Sequence, residues 1–136
     1  AEKSVKFLHS AGVKKVFANI GTIFGCPIQG EVPIQRAYEF VDRAFDIGFD
    51  EIEHSDPDGI AAPDAVYEYF SNILKKYPET GAHSFHAHDI RGMGLASYYA
   101  AMEAGDSIRY GYRRHRRSGG QHRGQCPCKR NGRILL

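Results

Sequence analysis

The strongest constraint in this sequence is a cycle of short strand, loop and amphipathic helix that runs three times. Lys15-Val16-Phe17-Ala18-Asn19-Ile20 is a short strand-like run ending at a Gly. Pro33 then sits where a helix begins, since its missing N–H costs nothing there. Ile34, Ala37, Tyr38, Val41, Ala44 and Phe45 follow at offsets 0, 3, 4, 7, 10 and 11, one face of a helix, with Gly48 as its stop. The second cycle reads Asp50 to His54 as strand and Ser55 to Ala62 as loop. Its helix opens at Pro63 and Asp64, with Val66, Tyr69, Phe70, Ile73 and Leu74 on its apolar face. Lys75 and Lys76 occupy its last turn, where the helix dipole favours cations. The third strand spans about Ala82 to His88, and a helix follows with Leu95, Tyr98, Tyr99 and Met102 on one face and Gly105 after it.

Strand starts near residues 15, 50 and 82 are 35 and 32 residues apart. Strands alternating with helices at this period predict a parallel sheet. Three βα units neither close a barrel nor cover both faces of a sheet, so the body reads as a piece of a larger fold. The first residue is not Met, and a trimmed or partial chain is expected. Composition enters through charge. Residues 1–105 hold nine Lys and Arg against fifteen Asp and Glu, a net of −6; residues 106–136 hold nine against one, a net of +8. The chain therefore divides into an acidic body, 1–105, and a basic tail, 106–136. No apolar run approaches the roughly 20 residues of a membrane span, which excludes a helical membrane protein. Three Cys without a secretory signal argue against a disulfide framework and for a reducing, cytoplasmic setting.

Three stretches carry the chemistry. In His83-Ser84-Phe85-His86-Ala87-His88-Asp89, strand alternation puts His86 and His88 on one face and His83 on the other. The pair lies at the C-terminal end of a parallel strand, where ligands bind in α/β folds. Two imidazoles so spaced suit adjacent positions on one divalent ion, although a site needs further ligands; a hydrogen-bonded polar strand end is the plainer alternative. Phe24-Gly25-Cys26-Pro27 with Gly30 forms a loop at the same end, where Cys26 is either a binding residue or a small buried hydrophobe. Ser55-Asp56-Pro57-Asp58-Gly59 offers two carboxylates there, or only a turn. All three stretches fall at one edge of consecutive βα units.

Taken together, Phe24-Gly25-Cys26-Pro27, Asp56 with Gly59 and Pro63, and His86-Ala87-His88-Asp89 with Gly92 resemble 3-hydroxy-3-methylglutaryl-CoA lyase and its relatives. These are a branch of the metal-dependent TIM-barrel lyases and acyl-transferring synthases, with a pyruvate carboxyltransferase-like domain. The resemblance covers about residues 14–105. It implies an α/β fold, a partial (β/α)8 barrel of about three βα units. It implies His86 and His88 as ligands of a divalent metal (Mg²⁺ or Mn²⁺), with His86 also counted as catalytic. Asp56 would be catalytic and substrate-contacting, and Cys26 substrate-binding. The implied reaction is cleavage of a hydroxyacyl-CoA to acetyl-CoA and a keto acid, by a homo-oligomer when full-length. Departures are Pro57 and Asp58, where Thr and a hydrophobic residue are usual, and Ser97, where Asn is common. The family's metal-binding Asp and Arg precede this segment, and its Asn ligand and catalytic Cys follow the His motif. Because the start of the protein is expected to be missing, a mitochondrial location stays open beside the cytoplasmic one.

With two of the metal ligands, the chain alone is expected to have little or no activity. The alternatives are a Claisen-condensing synthase of the isopropylmalate or homocitrate type, an aldolase, and a nucleic-acid binder acting through Arg113-Arg114-His115-Arg116-Arg117. A zinc site from Cys126, Cys128, His115 and His122 matches no standard finger. The tail has a further explanation. Read one nucleotide on, codons for Ile108 to Arg117 permit Phe-Asp-Thr-Ala-Ile-Gly-Gly-Ile-Gly-Gly, and those around Gly124 to Pro127 permit Gly-Asn-Val-Pro. These match the family's last barrel strand and Gly-Asn pair, so the expectation is a tail translated out of frame, disordered, with nucleic-acid binding disfavoured. The nucleotide sequence tests it, and stop codons in the shifted frame would end the idea.

Overall fold

The computed structural model describes residues 1–79 and 82–105, and the backbone of 109–113. Its elements run α1 (Glu2–Ser10), β1 (Phe17–Ile20), α2 (Ile34–Ile47), β2 (Glu51–Asp56), α3 (Pro63–Lys76), β3 (His83–His88), α4 (Gly94–Ala104) and β4 (Arg109–Arg113). The described strands form one sheet in the order β1-β2-β3-β4, every pair parallel. Spatial order equal to chain order, with helical crossovers, is an arc of a barrel; a doubly wound sheet would reverse at a switch point. The three expected βα units are present. Two elements were not anticipated: α1, and β4, which lies inside the segment read as a tail. Residues 114–136 lie outside the described residues, as do the zinc and nucleic-acid alternatives built on them.

The helix limits follow from backbone chemistry. Pro33 precedes the first turn of α2, and Gly48 ends it at φ 99°, a left-handed cap. The Gly48 N–H donates to the Phe45 carbonyl at 2.9 Å and Phe49 N–H to Ala44 at 3.1 Å, the two bonds of a Schellman motif. Pro63 opens α3, and Lys76 in its last turn pairs with Asp42 of α2 at 2.6 Å. Val5 of α1 packs beside Gly48, at the end of α2.

The core lies between the sheet and its helices. Phe85 of β3 sits between Phe70 of α3 and Tyr98 of α4, with ring centroids 5.2 and 5.4 Å away. Val41, Ile52, Val66 and Ile73 fill the surrounding space. Of the face expected for α4, only Tyr98 is buried. Leu95 is 61% exposed and Tyr99 50%, whereas Gly94, Ser97, Tyr98, Ala100 and Ala101 are buried. Small residues let α4 approach its neighbours closely, and a helix apolar on most sides gives no periodic signal of which side is buried.

Candidate active site

Alternation on β3 works as the sequence implied. His83, Phe85 and Ala87 are buried toward the helices, while Ser84, His86 and His88 lie half-buried on the opposite, inner face. On β2 the inner face carries Glu51 and Glu53, and on β1 it carries Phe17 and Asn19. The parallel register sets Asn19 beside Glu53, and Ser55 beside His86. Three strands thus bring an amide, a carboxylate and two imidazoles to one surface.

The His86 and His88 ring centroids are 5.2 Å apart, with planes inclined at 35°. For imidazoles bound through nitrogen at about 2.1 Å, each centroid lies roughly 3.2 Å from the ion. A separation of 5.2 Å then corresponds to an inter-ligand angle of roughly 109°, in the range tetrahedral and distorted octahedral shells use. The separation matches two adjacent positions of such a shell. Among the described residues no group of three His, Cys, Asp or Glu could hold a metal ion.

The loops at this edge are packed against one another. Gly25, in the β1–α2 loop, has φ 152°, and a Cβ there would fall 2.4 Å from Ile60 Cδ1 of the β2–α3 loop. Gly59, at φ 58°, lies so close to the end of β3 that a Cβ would meet the His88 carbonyl oxygen at 2.4 Å. Cys26 is half-buried and joined to Gly30 by two backbone hydrogen bonds, of 2.8 and 2.7 Å, that close its loop. The three stretches singled out in the sequence are therefore brought together physically.

Asp56 is 3% exposed, and its two oxygens accept the Ile60 and Ala61 backbone N–H groups at 3.2 and 2.9 Å. This carboxylate braces the β2–α3 loop that carries Gly59. Ser97 of α4 donates to the Ala61 carbonyl at 3.3 Å, tying the same loop from behind. Asp89 accepts the Gly94 N–H at 2.9 Å and so shapes the turn into α4. A separate open cleft, lined by Lys15, Phe45, Phe49, Asp50, Tyr77 and Glu79, lies at the opposite end of the strands from the His pair.

The perturbed imidazoles are elsewhere, on the helix side of the sheet. Burial, reinforced by the neighbouring His83, holds His54 well below its ordinary pKa. Burial also lowers His83, opposed by its backbone hydrogen bond to Tyr77. Glu53, which the sequence reading passed over, belongs to the site: its Oε1 is 4.0 Å from His86 Nδ1. Period-two alternation along β2, with Ile52 and His54 buried, is the signal that could have found it.

The HMGL-like family model matches residues 1–108. The chain belongs to the HMGL-like family. It is 31% identical over 91 residues to a hydroxymethylglutaryl-CoA lyase of Bacillus subtilis (strain 168), covering 67% of this chain and 30% of the relative. It is 36% identical over 86 residues to an (R)-citramalyl-CoA lyase of Chloroflexus aurantiacus, covering 63% and 27%. A crystal structure of the B. subtilis HMG-CoA lyase superposes with TM-score 0.75 at 27% identity, over 82% of this chain and 37% of that one. An HMG-CoA lyase from Acinetobacter baumannii, in complex with coenzyme A and 3-methylmalate, superposes with TM-score 0.74 at 26% identity, over 83% and 35%. The family and the partial TIM barrel are as expected, and the chain spans about a third of the length of these relatives. Related HMG-CoA lyases include a mitochondrial one of Bos taurus and a cytoplasmic one of Danio rerio. Among the described residues no helix is long and apolar enough to cross a membrane.

Proposed function

We propose that this chain carries part of the active site of a divalent-metal-dependent carbon–carbon lyase acting on a hydroxyacyl-CoA of the 3-hydroxy-3-methylglutaryl type. The observation that carries this reading is His86 and His88 sharing the inner face at the C-terminal edge, at a spacing that fits one ion. Relatives named as CoA-ester lyases support the substrate class.

An Mg²⁺ or Mn²⁺ ion there supplies Lewis-acid polarisation of substrate oxygens. His86 and His88 would hold it through ring nitrogens, and an imidazole in the place of His88 is a side chain suited to carry a proton. In the reaction a base, the role for which the His88 imidazole is suited, takes the hydroxyl proton; the bond between the hydroxyl-bearing carbon and the thioester α-carbon breaks, and the ketone forms. The electron pair passes to the thioester as an enolate, which takes a proton to give acetyl-CoA. The Cys26 loop forms one wall of the substrate site, and Asp56 acts on that site by fixing the loop beside it. Among the described residues these two are the donors that the site offers, and the chain by itself is expected to turn over little or no substrate.

A chimera tests the reading: residues 1–105 replace the corresponding segment of the B. subtilis hydroxymethylglutaryl-CoA lyase. The expected result is Mg²⁺-dependent release of acetyl-CoA from 3-hydroxy-3-methylglutaryl-CoA or citramalyl-CoA, lost on His86→Ala. A folded chimera that binds Mn²⁺ and cleaves neither thioester would overturn it.

A further inference from the structure

We propose that Glu53 is a positioning residue for His86, fixing which ring nitrogen faces the inner edge. The inference rests on the reading of His86 and His88 as cation-holding residues and adds a role for a residue outside that pair. Glu53 Oε1 lies 4.0 Å from His86 Nδ1, and both side chains are about three-quarters to two-thirds covered. The same Oε1 accepts a hydrogen bond from Asn19 Nδ2 at 2.5 Å, so the carboxylate is anchored from β1. The line Asn19–Glu53–His86 crosses three neighbouring strands of the sheet.

An ionised carboxylate only accepts, so Asn19 presents its amide nitrogen to Glu53. At 4.0 Å the Glu53–His86 approach is electrostatic, and a hydrogen bond formed along it requires the His86 proton on Nδ1. The terminal torsion of Glu is broad, so the proposed contact needs only the carboxylate to turn about it while one oxygen stays with Asn19. With the proton on Nδ1, the neutral ring keeps its lone pair on Nε2, the nitrogen directed away from Glu53. A carboxylate behind a ligating imidazole fixes its tautomer and orientation and raises its basicity. A free histidine side chain in water prefers the opposite tautomer, with the proton on Nε2, so the proposed state is diagnostic.

The test uses the 136-residue chain at pH 8 and two independent readouts. Long-range proton–nitrogen correlation spectra of the metal-free chain report the His86 tautomer, with His86→Gln identifying its signals. Mn²⁺ titration followed by electron paramagnetic resonance reports affinity. The expected result is an Nδ1–H tautomer in the wild type, a shift toward Nε2–H in Glu53→Ala, and about tenfold weaker Mn²⁺ binding in that variant. Glu53→Gln, which keeps an acceptor oxygen, retains the tautomer. Asn19→Ala, which leaves Glu53 in place but unanchored, gives an intermediate loss if Glu53→Ala does not fold. A wild-type His86 in the Nε2–H form, or a tautomer and Mn²⁺ affinity indifferent to Glu53, would overturn the positioning role. Failure of the wild type to bind Mn²⁺ would instead remove the cation reading, whatever the tautomer.

Discussion

His54 Nε2 lies 3.0 Å from His83 Nδ1 in the buried layer between the sheet and α3. At one end of this pair the Tyr69 hydroxyl is 2.8 Å from His54 Nδ1; at the other, His83 Nε2 is 3.2 Å from the Tyr77 carbonyl. The carbonyl can only accept, so His83 donates to it through Nε2 and accepts through Nδ1. His54 must then donate from Nε2 and accept the Tyr69 hydroxyl proton at Nδ1. Both imidazoles are neutral in this row of hydrogen bonds, and each of their four ring nitrogens has a partner.

The pair makes stability depend on pH. The two rings otherwise contact Tyr69, Phe70, Phe45 and Tyr77, and burial lowers both pKa values. In the unfolded chain each His takes up a proton near its ordinary pKa of about 6.5. The unfolded state therefore binds more protons below that pH, and stability is full above it and lost as pH falls through it. Urea midpoints measured from pH 8 to 5 should decline over this window. A flat profile would contradict the neutral pair.

Tyr69→Phe removes the donor to His54 Nδ1 while keeping the ring that stacks on Tyr38 at 5.4 Å. A buried acceptor is left without a partner, at a cost of about 1–3 kcal/mol. Chemical denaturation should show that loss with an unchanged m value.

Gly59→Ala places a methyl group 2.4 Å from the His88 carbonyl oxygen at a left-handed φ of 58°. Backbone strain alone costs about 1–3 kcal/mol, and the β2–α3 loop must move off the end of β3. The expected outcome is a lower Tm together with weaker Mn²⁺ binding, because the displaced strand end carries His88. Gly12→Ala, at φ 85° with open space around it, pays only the backbone strain and should leave Mn²⁺ binding unchanged.

Asp56→Asn replaces one of two carboxylate acceptors by an amide NH₂ that faces a backbone N–H. A destabilisation of about 1–3 kcal/mol is expected. In the chimera, the remaining folded fraction should keep most of its turnover per molecule. A fully folded but inactive Asp56→Asn would assign the carboxylate to the chemistry itself.

Much of this was legible in the chain alone. Pro33, Gly48 and Pro63 marked helix limits because their effect is on the local backbone. The opposite facing of His83 and the pair His86 and His88 followed from strand alternation, which is equally local. The gathering of the Cys26, Asp56 and His88 loops at one edge followed from parallel βα order. The sequence by itself could not decide what depends on distance between strands and layers. Glu53 meets His86 only because β2 and β3 pair in the register that sets Ser55 beside His86. His54 meets His83 across the same ladder, and Asp56 turns to its own loop amides when the loop folds back. The buried side of α4 likewise depends on how closely it packs on α3. Period and capping act within a few residues; register and packing are fixed by partners about thirty residues away, so only the tertiary structure selected which polar groups touch.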